Sequence, residues 1–160
     1  MTMHLKPEDL QHLTAAHGYC ELKMYLDADE ELERIHADVR HLPEVIAARL
    51  KIYDGMMHVM VKNLVEYDPD NEQWWTALAN ATRWTENIEA AKSILLEGLK
   101  KHPKEAIIYY DLACYECLLG DLKLAKNCLE HAIKIDKHCH ITALDDEDFR
   151  PLWGWLKSNF

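Results

Sequence analysis

Apolar residues recur along the chain at the three-and-four spacing of amphipathic helices, interrupted by short turn signals such as Asp54-Gly55, Asp68-Pro69-Asp70 and Gly120-Asp121. The most regular stretch is Glu72 to Cys139, where one pattern occurs twice, 34 residues apart. Its first copy runs Trp75, Leu78, Ala79, Ala91, Leu95, Gly98, Pro103; its second runs Tyr109, Leu112, Ala113, Ala125, Leu129, Ala132, Lys137. Upstream, Lys6-Pro7-Glu8 suits a helix start, because proline fixes φ where no amide donor is needed. Ala15, Ala16 and Tyr19 then mark one helix, and Ala28, Leu32 and Ile35 a second. Pro43 opens a helix through Val45, Ile46, Arg49, Leu50 and Ile52; Asp54-Gly55 predicts a turn, and Met56 to Tyr67 a further helix. From His140 the pattern ends. Asp145 and Asp146 are candidate caps, and Pro151 predicts the start of a last helix with Leu152, Trp153 and Leu156 on one apolar face.

An aromatic, a Leu-small pair, an alanine, a large apolar residue, a small residue and a terminal proline, in that order, resemble the tetratricopeptide repeat, a helix-turn-helix of this period. Lys137 replaces the usual proline, Glu116 a usual aromatic and Lys23 a usual turn glycine. The stretches YYDLACYECLLG and ALDDEDFRPLW are similar to those of small, mostly uncharacterised bacterial proteins of this kind. The resemblance implies an all-α, right-handed superhelix in a single domain, residues 1–160. It would hold about four helix pairs, at 9–42, 43–71, 72–105 and 106–139, closed by a cap at 140–160. The second pair is abbreviated: 29 residues are present where 34 are usual, a loss of rather more than one helical turn.

Composition sharpens this picture without changing it. Glycine and proline are scarce, at five each, as a helical chain with short turns requires. A formal net charge of −10 repels phosphate backbones and anionic lipid, so nucleic acid and membranes are poor partners. Neither a signal-peptide core nor a membrane-length apolar run is present, which points to the cytoplasm. The five cysteines are then expected as thiols.

In the family that the chain resembles, first helices line a concave groove for a peptide or protein segment. By position the groove residues are His17, Cys20 and Glu21; Thr76, Asn80, Arg83 and Trp84; and Ile107, Tyr110, Asp111, Cys114, Cys117 and Leu118. Of the Lys, Asn and Arg set that related proteins use to clamp a C-terminal carboxylate, only Asn80 is in place, and Asp111 would repel such a ligand. The expected function is therefore non-catalytic binding of a protein or peptide, with no cofactor. A chaperone for an exported protein, as in type III secretion, is an alternative partner role.

Chemistry based on cysteine and histidine is the rival class. Cys114 and Cys117 form a CxxC, but they fall mid-helix beside acidic residues, which disfavours a thiolate. Cys128 and His131 with His138, Cys139 and His140 have ligand types suited to zinc, although three consecutive residues rarely converge on one ion. No phosphate loop, nucleophile elbow or HExxH motif occurs. The lysines, including Lys92, Lys100, Lys123 and Lys126, are expected on the solvent side of second helices. Trp153, Trp155 and Phe160 would offer a cap surface for a homodimer.

Overall fold

The computed structural model describes residues 4–159, and among these it contains nine α-helices, two short 3₁₀ segments and no strand. The chain divides into two compact units, Met1–Met60 and Val61–Phe160.

In the first unit α1 (Pro7–Glu21) packs on α2 (Tyr25–Arg34) through a three-residue turn. Pro7 opens α1, and Asp9 caps its first turn by accepting from the Lys6 amide at 3.2 Å. Asp9 is itself buried, taking the His36 amide at 2.9 Å and the His36 ring at 2.8 Å, so it also ties the start of α1 to the end of α2. Lys23, where the family would place glycine, adopts φ 60°. Such a left-handed conformation suits glycine better than lysine. Leu13, Ala16, Ala28, Leu32 and Ile35 form the core with Val45, Ala48 and Ile52.

The pair expected at 43–71 is replaced by one unbroken helix of 25 residues, α3 (Pro43–Tyr67). About four helix pairs are thus corrected to three pairs and a single long helix. Gly55 is not a turn residue. A Cβ there would sit 2.2 Å from the ring of Tyr25, so its lack of a side chain serves close packing.

The second unit repeats with the spacing read in the sequence. α4 (Glu72–Thr85) and α5 (Ile88–Lys101) are followed by α6 (Ala106–Leu119) and α7 (Leu122–Ile135), every boundary 34 residues on. Asn71, Asn87 and Asp121 cap α4, α5 and α7 by accepting from the amides of Gln73, Ala90 and Leu124. Gly120 at φ 88° ends α6 in the left-handed conformation. Small residues let the helices approach: Ala79, Ala91, Ala113, Ala125 and Ala132 are fully buried, and a Cβ on Gly98 would meet Trp75 at 3.0 Å. The Trp75 indole donates to the Pro69 carbonyl at 2.9 Å. Lys92 departs from expectation: it leans inward and pairs with Glu116, which is 3% exposed.

After α7 come α8 (His138–Asp145), a 3₁₀ segment at Glu147–Leu152, and α9 (Trp153–Asn159). Pro151 lies within the 3₁₀ turn, and the last helix begins two residues later than predicted. Phe149, Leu152 and Leu156 are buried, and the Trp153 indole donates to the Ala143 carbonyl at 3.1 Å. Trp155 is half-buried with the Lys126 ammonium 5.5 Å over its ring, so it is not the open contact expected of it. Phe160 lies outside the described residues.

Candidate functional site

On α1, His17 and Glu21 are exposed, but Cys20 is buried, 6% exposed, and packs in the first core. The other candidates sit on α4 and α6, whose faces meet through side-chain contacts. The Tyr115 hydroxyl donates to Asn80 Oδ1 at 3.0 Å, and the Arg83 guanidinium lies 5.7 Å over the Tyr115 ring. Thr76 donates to its own helix, at the Gln73 carbonyl.

The C-terminal segment, read in the sequence only as a cap for the end of the stack, covers much of the α6 face. Asp146 Oδ1 accepts from the Asp148 amide, which is the predicted cap. Its Oδ2 accepts from the Tyr110 hydroxyl at 2.9 Å and lies 3.8 Å from Cys114 Sγ. The Phe149 ring packs edge-on against Tyr110 at 5.1 Å. Asp148 takes Arg83 at 3.1 Å. Tyr110, Cys114 and Cys117 are therefore buried, 5–6% exposed, rather than open to a ligand as expected. Asp146, Asp148 and Phe149 are the site residues that sequence reasoning missed; the paired aspartates gave a signal for a cap but none for its second hydrogen bond.

Electrostatics follow from this cover. Burial, then the neighbouring Asp146 charge, push the Asp111 carboxyl up to about 7, against the opposing pull of Arg83. Burial raises the Cys114 thiol well above its ordinary value, with Asp146 and Asp111 adding to it, and pushes Cys117 up to about 11. Both shifts disfavour the thiolate form. Burial also pushes Cys128 and Cys139 upward. His131 lies against the Tyr109 ring at 5.0 Å, Cys139 faces the core, and among the described residues no group of three His, Cys, Asp or Glu side chains is placed to hold a metal ion.

What stays open is the outer part of the face. Trp84 is 70% exposed, with the Arg83 guanidinium 5.2 Å from its ring centre, and Asn80 and Leu118 are exposed. Near the start of α6, Ile107, Tyr110, Asp136, Cys139 and Thr142 line a shallow cavity of about 180 Å³. Among the described residues no helix is long and apolar enough to cross a membrane. Comparison with family models, with curated proteins and with solved structures finds no match for this chain.

Proposed function

We propose that this chain is a non-catalytic interaction module of the tetratricopeptide type, a right-handed superhelix that binds a segment of another protein on the outer face of α4, with Trp84 as the anchor. The carrying observation is the Arg83–Trp84 pair. Trp84 projects a large ring into solvent, while Arg83 beneath it is fixed by Asp148 and by the Tyr115 ring. Trp, Tyr and Arg dominate binding energetics at protein interfaces. A platform held in place before binding spares the complex part of its ordering cost. Asn80 adds a polar group: with Oδ1 engaged by Tyr115, its amide nitrogen is left to donate to a partner backbone. The buried, proton-holding thiols and the net charge of −10 favour this reading over thiol or nucleic-acid chemistry. Five unpaired cysteines suit a reducing compartment, and we assign the module to the cytoplasm.

The test is selection of peptides from a random library against the parent protein, followed by titration of the best binder into Trp84→Ala. Trp84 is 70% exposed and belongs to neither hydrophobic core, so the variant is expected to keep its helicity. Binding weakened about tenfold or more supports the proposal. Equal binding by parent and variant overturns it.

A further inference from the structure

The unbroken α3 carries a second, independent surface. Val45, Ala48 and Ile52 face the first core, whereas Ile46, Leu50, Tyr53, Met57 and Met60 lie about 130° further round the helix. These five are 47%, 59%, 46%, 43% and 60% exposed. Their spacing is four, three, four and three residues, and Leu64 and Tyr67 continue it. A strict alternation of this kind is the seam of a coiled coil, and it fits a partner helix of the same repeat. α3 is itself such a helix. Placed parallel and in register, each seam residue meets its own copy. Placed antiparallel about residue 55, the helix midpoint, Ile46 meets Leu64, Leu50 meets Met60 and Tyr53 meets Met57 of the second copy. Every layer is apolar in either direction.

Area and charge both favour a second copy. The five half-exposed side chains offer on the order of 500 Å² per chain, toward the upper end of the largest apolar patch a monomer usually leaves open. Met24 and Leu26 line one cleft with Met60 and extend the patch toward the roughly 800 Å² a side of a standard interface. The whole chain carries −10, which drives copies apart, yet α3 is neutral: Glu44, Asp54 and Glu66 balance Arg49, Lys51 and Lys62. The charges of α3 itself therefore add no net like-charge repulsion between two copies.

We infer that the seam Ile46-Leu50-Tyr53-Met57-Met60 is a self-association surface, through which two copies of this chain pair α3 against α3. Sedimentation equilibrium of the full chain, from low micromolar to hundreds of micromolar, tests it. The parent gives twice the chain mass of 18.7 kDa. Leu50→Glu with Met57→Glu, and separately Tyr53→Lys, keep the parent helicity and raise the dimer dissociation constant at least about 100-fold. Tyr53→Lys guards against misfolding of the double variant, and Leu118→Glu on α6 leaves the mass unchanged. A parent that stays at the single-chain mass throughout overturns the inference, as does a dimer that Tyr53→Lys does not weaken. Because Trp84 is untouched, the result is independent of the peptide-binding proposal.

Discussion

Glu116 illustrates how a departure from a repeat pattern is accommodated by one neighbour. A carboxylate this deeply buried is tolerated because the Lys92 ammonium reaches it from α5. Breaking such a pair on one side strands a buried charge. Lys92→Met should lower stability by about 2 kcal/mol, below the usual range because Lys92 is itself 28% exposed. Adding Glu116→Leu should recover most of that loss, and urea unfolding of the single and double variants measures both. Asp111 supplies the pH dependence. Its carboxyl is raised in the folded state to about 7, so its contribution is fully present below the ordinary carboxylate pKa and is lost as pH rises through about 7. Asp111→Asn should therefore raise the melting temperature at pH 8 and leave it unchanged near pH 4. Asp9 works in the opposite sense: hydrogen bonds from the His36 amide and ring hold it down to about 2, and its contribution is lost as pH falls through that value.

At the scale of elements, the turns were legible in different degrees. Gly120 and Asp121 announce the α6–α7 turn directly, and the 34-residue offset recurs in the limits of four helices. At the α1–α2 turn the residue is unfavourable but the position is right. Lys23→Gly should stabilise the chain by about 0.5–1 kcal/mol, since a left-handed conformation costs a lysine more than a glycine. A shift of the urea midpoint to higher concentration is the expected result. Asp54-Gly55 misled for a physical reason: the same smallness that permits a turn also permits the Tyr25 ring to rest on a helix. The five-residue shortfall was visible in the sequence, but its consequence, a single continuous α3, depended on that packing. The C-terminal cover was illegible for a related reason. Tyr110 and Asp146 are joined across 36 residues, and no local pattern marks a hydrogen bond of that range.

For the molecule as a whole, two of the surfaces left open by helix packing bear on the proposals. One is the polar and aromatic face of α4, and the other is the apolar seam of α3. The C-terminal segment closes the inner part of the α6 face, where its Asp148 holds Arg83 and its Asp146 and Phe149 hold Tyr110. That leaves Trp84 as the most exposed aromatic side chain of α4. The most direct measurement of this account is amide hydrogen exchange on the protein with and without the best selected peptide, at one fixed protein concentration. Slowed exchange confined to α4 around Asn80–Thr85, with the amides of α5 and α7 unchanged, is the result the account predicts. Slowed exchange on α5, α7 or α3, with none on α4, would contradict it.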